Sequence, residues 1–223
     1  MRSTLLLLCA SLALAGCGGR DVDLGDGGAA ATTISGHVFQ GEQDHKVQGA
    51  VVAQYGGSAQ TTTDAAGAYG LALTPGPVVL VAQKAGLLRT LNSAALPAGG
   101  VAGVDLALVS RTYIDAKLAQ AKLPKTDLSR GLVVVVFKGA NGGEGASLAQ
   151  ASDGVMTVMK GTDQGVQSKT LLSGGSRALV FSNVAPGVTT VTLSAPGCTP
   201  RHPSLADYPV VAGALSMIDV TCK

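Results

Sequence analysis

The chain has 223 residues, a formal net charge of +2 and 13% charged residues. It carries no basic patch, which argues against nucleic acid as a partner. Aromatic residues make up 3% of the chain and Trp is absent, so few rings are available for the stacking platforms of sugar- and single-strand-binding proteins. The 31 glycines, together with abundant Val and Ala, indicate many short strands joined by tight turns. The composition therefore predicts an all-β fold.

The first 17 residues have the order of an export signal. Arg2 precedes an apolar run at residues 5–14, which is too short for the roughly 20 residues that cross a bilayer as a helix. The run ends in Leu-Ala-Gly-Cys, and this ending resembles the lipobox of bacterial lipoproteins. The resemblance implies cleavage before Cys17, lipid attachment to Cys17, and export of the protein. There are two alternatives. One is an ordinary secretory signal that happens to end in a cysteine, and the other is an uncleaved anchor.

Behind the signal, residues 18–33 are rich in Gly and Ala and are predicted to be a flexible tether. Gly18 stands where inner-membrane lipoproteins of some Gram-negative bacteria carry Asp. The resemblance therefore favours the outer membrane, or the periplasmic face of the envelope. We expect a signal peptide at 1–16 and a lipidated Cys17 with its tether at 17–33.

Residues 34–109 are predicted to form a first β-unit. Alternating apolar residues at 34–38 and 69–73 indicate strands with one inward face. The Asp-Ala-Ala-Gly segment at 64–67 predicts a turn in which Asp64 accepts backbone N–H groups and Gly67 takes positive φ. One ordered pattern of apolar, turn and glycine positions comprises Ile34, Gly36, Val38, Gly49, Ala50, Val52, Thr63, Asp64, Gly67, Tyr69, Leu71, Leu73, Pro75, Gly76 and Gly86. This pattern resembles the carboxypeptidase regulatory-like domain, which implies a transthyretin-like Greek-key sandwich.

Residues 131–223 are predicted to be a diverged second sandwich. A continuous apolar strand is expected at 133–137, and Pro186 and Gly197 repeat the spacing of Pro75 and Gly86. The second unit carries an excursion of about 15 extra residues, which we expect within 163–176. Coincidence among Gly- and Pro-rich turns is the alternative.

Residues 110–130 are predicted to link the two sandwiches through a short helix. Thr112 and Asp115 resemble a capping box, and Ile114 and Leu118 share one helix face. This face is small, so we interpret the helix as a spacer that packs onto one domain.

The remaining cysteines are interpreted by position. Cys9 leaves with the signal, while Cys198 and Cys222 form an even pair in an oxidising compartment. They predict a disulfide that ties the C-terminal strand to the preceding sheet. Two free thiols or half of a metal site are the alternatives, although no further ligands lie nearby in the sequence.

No motif predicts a catalytic, metal or cofactor site. His37, His45 and His202 lack ligand spacing, and neither a Gly-x-Ser-x-Gly elbow nor a phosphate loop with its Lys is present. Asp64 is one carboxylate where calcium needs six or more oxygens, so a turn-capping role is favoured. The zinc carboxypeptidases that carry the regulatory-like domain have a separate catalytic domain with a His-x-x-Glu motif, which nothing here resembles.

These observations predict a non-enzymatic, lipid-anchored cell-envelope protein. It would bind or scaffold protein partners through loops or a sheet edge, and it would contact the membrane through the lipid on Cys17. One alternative is a glycan- or peptidoglycan-binding accessory module of an envelope hydrolase. The other is a hydrolase with an unrecognised site. We expect no cofactor, no metal and no nucleic acid.

Overall fold

The structure is a computed structural model that describes residues 30–159, 162–173, 177–201 and 207–223. The predicted signal peptide, Cys17, most of the tether and His202 lie outside the described residues. Among the residues that are described, none belongs to a helix long and apolar enough to span a bilayer.

The described residues form strands and one short helix, in agreement with the predicted all-β class. In chain order these elements are β1 (Thr32–Gln40), β2 (His45–Lys46), β3 (Val51–Gln54), β4 (Gln60–Thr62), β5 (Ala68–Leu73), β6 (Gly76–Gln83), β7 (Arg89–Leu96), β8 (Leu106–Leu108), α1 (Arg111–Gln120), β9 (Gly131–Lys138), β10 (Ala146–Leu148), β11 (Gly154–Met159), β12 (Gln164–Gln167), β13 (Ala178–Val184), β14 (Gly187–Thr189), β15 (Val191–Leu193), β16 (Cys198–Pro200), β17 (Tyr208–Val210) and β18 (Ala214–Cys222).

The first core lies between two sheets. Strands β2, β1, β5 and β8 form one sheet, and β7, β6, β3 and β4 belong to the other. Tyr69, Leu71 and Leu73 of β5 are buried while their neighbours are not, as the alternation predicts. They pack against Val52 and Leu80 from the facing sheet.

The second core is also a two-layer packing. β9, β13 and β18 bury Val135, Phe181 and Ile218 against the two-stranded pairs β10–β15 and β14–β17. The apolar strand predicted at 133–137 is confirmed as part of β9.

One sheet runs through both cores, which the sequence did not predict. We call it the large sheet, and its strand order is β12-β11-β13-β9-β18-β7-β6-β3-β4, with β16 also paired to β18. The C-terminal strand β18 pairs in parallel with β9 on one side and with β7 on the other, where residues 214–217 face 89–92. The halves are therefore joined by backbone hydrogen bonds as well as by the helix, and the boundaries near 109 and 131 remain predictions.

The two halves share some backbone features, while the internal repeat remains a prediction. Gly76 and Gly187 have φ of 139° and 135°, and Gly86 and Gly197 have 83° and 84°. The strand pairings match too, since β8 runs parallel to β1 as β18 does to β9. The position predicted for the excursion was wrong in part, because the extra hairpin β11–β12 spans residues 154–167 and overlaps 163–176 only at its end.

The N-cap of helix α1 lies two residues before the predicted Thr112. The side chain of Ser110 accepts the hydrogen bond from the Tyr113 N–H at 3.1 Å, so Ser110 is the N-cap and the Thr112 capping box was wrong. Asp115 instead accepts two hydrogen bonds from Thr126, from its N–H and from its hydroxyl. The carboxylate therefore fixes the segment that follows the helix.

The buried face of helix α1 carries the two apolar residues that the sequence placed together. Ile114 and Leu118 are buried against Met156 and Val180 on the outer face of the large sheet. The helix also covers the edge of β12, where the Gly165 N–H donates to the Gln120 Oε1 at 2.8 Å.

Candidate functional site

The predicted disulfide is present. Cys198 in β16 and Cys222 in β18 lie directly opposite each other, with their Cα atoms 4.0 Å apart and their sulfurs joined. The bridge ties the C-terminal strand to the preceding segment and rules out two free thiols. Both half-buried cysteines pack against the second core.

Asp64 has the turn-capping role that its sequence position predicted. Its Oδ1 accepts hydrogen bonds from the N–H groups of Ala66 and Ala68, each at 2.8 Å. Gly67 has φ of +71°, and a Cβ there would come within 2.7 Å of the Val38 carbonyl oxygen. Both the carboxylate and the glycine are thus explained by the turn.

The histidines are not brought together. The His37 side chain is 44% exposed, with its Nδ1 3.5 Å from the Asp105 Oδ1, and His45 is exposed in β2. Within the described ranges, no group of three or more His, Cys, Asp or Glu side chains could hold a metal ion.

A cleft with clustered polar groups opens where the two cores meet. We name it the junction cleft; its volume is about 230 Å³, and the residues that matter are Asn92, Asp105, Lys138, Arg201, Met217 and Asp219. The pairing of β18 with β7 and β9 assembles it from both halves of the chain. A larger depression of about 570 Å³ at residues 31–35 and 99–102 has no charged residue in its lining.

Asn92 is the buried polar group of the junction cleft. It lies in β7 opposite Met217 of β18 and is 3% exposed. Its Nδ2 donates a long hydrogen bond of 3.4 Å to the Asp105 carbonyl oxygen, and its Oδ1 has no hydrogen-bond partner. Buried amide oxygens nearly always have partners, so an unpartnered one is an exception that needs an explanation.

The charges of the junction cleft are unevenly distributed. Asp219, whose side chain is only 12% exposed, lies 3.9 Å from both the Lys138 Nζ and the Arg201 Nη1. Two cations therefore share one carboxylate at this end. At the other end, the Asp105 Oδ1 accepts a hydrogen bond from the backbone N–H of His37 at 2.9 Å.

Tyr69 lies close to the acidic end of the junction cleft. Burial, and after it the charge of Asp105, raises the pKa of the Tyr69 hydroxyl. The phenol stays neutral and donates to the Val104 carbonyl oxygen at 2.6 Å. This bond fixes the loop that carries Asp105.

A second polar cluster lies under the helix. The ammonium of buried Lys117 contacts both the carbonyl and the carboxylate of Asp163, and it lies 4.8 Å from the centre of the Tyr113 ring. The Tyr113 hydroxyl donates to the Asp163 Oδ1 at 2.7 Å. The hydrogen bond from Lys117 lowers the pKa of Asp163. These partners satisfy one another, so the cluster fastens α1 to the β11–β12 turn.

Sequence reasoning missed the junction cleft because no motif marks it. Asn92, Arg201 and Asp219 are far apart in the chain and meet only through the pairing of β18. Asn92 itself lies in a segment of mixed polar and apolar residues that forms β7.

Comparison with known proteins gives no family. No protein-family model matches the sequence, and no curated protein matches it. Among solved structures, the TIE protein of Bacillus anthracis is 13% identical with a TM-score of 0.28, and the match covers 86% of this chain and 34% of that one. The chain thus spans about a third of that protein's length.

Two further solved structures are similar to the same extent. The shaft pilin SpaA of Lactobacillus rhamnosus GG is 11% identical with a TM-score of 0.28, covering 86% of this chain and 98% of the pilin. A DUF3823 family protein of Bacteroides ovatus has the same identity, TM-score and coverages. Similarities of this size assign no function to the chain.

Proposed function

We propose that this chain is a lipid-anchored, non-enzymatic cell-envelope protein whose β-sandwich body binds a protein partner. The lipobox-like ending at Cys17 and the Gly-rich tether support the anchor. The Cys198–Cys222 bridge supports export, since structural disulfides form and persist in oxidising compartments. We include in this proposal that residues 34–109 form a transthyretin-like sandwich of the carboxypeptidase regulatory-like kind.

The observation that carries partner binding is the open edge of the large sheet. One edge, β12, is covered by α1 through the Gly165 N–H. At the other edge, β4 pairs only with β3 within the described part of the chain. The Thr63 N–H donates to the Ala50 carbonyl oxygen across this pair. Since successive N–H groups of a strand point to opposite sides, the N–H of Thr62 points away from β3. An edge with free backbone groups is a template for a strand of another protein.

Tyr55 supplies a side-chain contact beside this edge. It directly follows β3, precedes β4 in the same hairpin, and is 45% exposed. Tyrosine is enriched among the residues that carry binding energy at protein interfaces. We therefore place the partner on the β3–β4 hairpin.

A site-specific photo-crosslinker at position 55 tests this proposal in the host. We expect a covalent adduct with an envelope protein. Thr62→Pro removes the outward N–H donor and should reduce the yield of that adduct by about tenfold, which corresponds to about 1.4 kcal/mol. Thr62→Val keeps the N–H and is the matched control, which should crosslink as the parent does. An adduct unaffected by Thr62→Pro, or no adduct at all, contradicts the proposal.

The glycan-binding alternative has less support from the described side chains. All seven Phe and Tyr residues lie in described ranges, and Tyr55 is the one that is exposed. A single exposed ring does not make the stacking surface that sugar recognition uses.

A further inference from the structure

The unpartnered oxygen of Asn92 is the starting point. The Asn92 side chain is buried, lines the junction cleft, and leaves its Oδ1 without a hydrogen bond in the described structure. A buried amide oxygen without a partner is destabilising. A ligand that donates a hydrogen bond to this oxygen would remove the penalty.

The charges give the ligand its polarity. Near Asn92, Asp105 adds a carboxylate, so this end of the junction cleft favours an ammonium group, which is both a cation and a hydrogen-bond donor. At the other end, Lys138 and Arg201 share the single carboxylate of Asp219. The uncompensated positive charge there favours a carboxylate.

The strand register gives the distance between the two ends. Asn92 pairs with Met217, and Asp219 lies two residues further along β18 on the same face, a rise of about 7 Å. The ammonium and the carboxylate of the ligand must therefore be several ångströms apart. A dipeptide meets this requirement, whereas an α-amino acid carries both charges on one carbon.

The volume limits the size of the ligand. The junction cleft, at about 230 Å³, lies below the roughly 300 Å³ at which pockets for drug-sized ligands begin. Small side chains are thus required on the ligand.

We propose that the junction cleft binds a short zwitterion of the dipeptide class. Its ammonium group donates to the Asn92 Oδ1 beside Asp105, and its carboxylate lies between Lys138 and Arg201. This site involves neither the anchor nor the β4 edge, so its test is separate from the test of the proposed protein partner.

Isothermal titration of the full chain with Gly-Gly and with Ala-Ala tests the site. We expect saturable binding of at least one dipeptide, and at least tenfold weaker binding of its N-acetyl and C-amide derivatives, because each derivative loses one charge. Glycine and acetate should bind at least tenfold more weakly than the dipeptide. Binding of acetate as strong as that of the dipeptide, or no measurable binding of either dipeptide, would overturn the proposal.

Substitutions inside and outside the junction cleft test whether the dipeptide binds there. Asn92→Leu keeps the burial and should weaken dipeptide binding at least tenfold. Gln150→Leu is its matched control, since Gln150 also has a buried, unpartnered amide oxygen but lies outside the cleft, and it should bind as the parent does. If Asn92→Leu fails to fold, Lys138→Gln at a half-exposed position serves the same purpose. Unchanged affinity in the folded cleft variant would refute the assignment.

Discussion

Replacing Cys198 and Cys222 together by Ala removes the covalent link between β16 and β18. The bridged residues are 24 positions apart. Closing a loop of that length restricts the unfolded chain by about 3.5 kcal/mol in the loop-entropy treatment. We therefore expect the free energy of unfolding to fall by about that amount, with the native β content retained. In urea denaturation followed by circular dichroism, the midpoint should fall by about 1 to 3 M.

Reduction of the unmodified protein is the internal control for this experiment. Added dithiothreitol should bring the parent protein to the midpoint of the Ala variant, and it should leave the variant itself unchanged. A loss below about 1 kcal/mol would refute the reasoning, because it would mean that the bridge scarcely restricts the unfolded chain.

Three further predictions concern the core, the junction and the helix. Tyr69→Phe leaves the Val104 carbonyl oxygen without its donor, so chemical denaturation should show a loss of about 1–3 kcal/mol; an unchanged midpoint would contradict this. Leu91→Ala, at the contact between β7 and β18, should cost about 2–5 kcal/mol and keep a single transition; two separated transitions would show that the halves unfold independently. The lowered pKa of Asp163 means that its contribution is present above the ordinary carboxyl pKa of about 3.9 and is lost as pH falls through the folded-state value. The stability difference between the parent and Asp163→Asn should thus shrink from pH 6 to pH 2. When Asp163→Asn is instead introduced into Lys117→Met, the stability difference should be small at every pH. Because the carboxylate is exposed, the pH-dependent part of the difference should stay below about 1 kcal/mol.

Strands with a clear alternation were predictable. Tyr69, Leu71 and Leu73 specify the inward face of β5 by themselves, and the apolar run within 131–138 specifies β9. The Asp64 turn was predictable too, because its donors and acceptors lie within five residues. These features depend on local spacing.

Strand β7 was not predictable in the same way. Thr90, Asn92 and Ser93 are polar and yet buried, because β7 lies between β6 and β18 inside the large sheet. Burial there follows from the parallel pairing with a strand more than a hundred residues away. Nothing in the local sequence contains that information.

The helix cap and the extra hairpin were misplaced for a related reason. Both Ser110 and Thr112 suit an N-cap, and Ser110 has that role because its hydroxyl oxygen accepts the N–H of Tyr113, three residues further on. The excursion was placed by counting residues, but the pairing of β11 with β13 puts the hairpin earlier. Hydrogen-bond geometry decided both positions.

Mass spectrometry of the protein extracted from host membranes can determine whether the signal is cleaved and Cys17 is lipidated. We expect a chain that lacks residues 1–16 and begins at a Cys17 carrying a diacylglyceryl group. A full-length chain with Met1 present and an unmodified Cys17, recovered from the soluble fraction of the cell, would contradict this expectation.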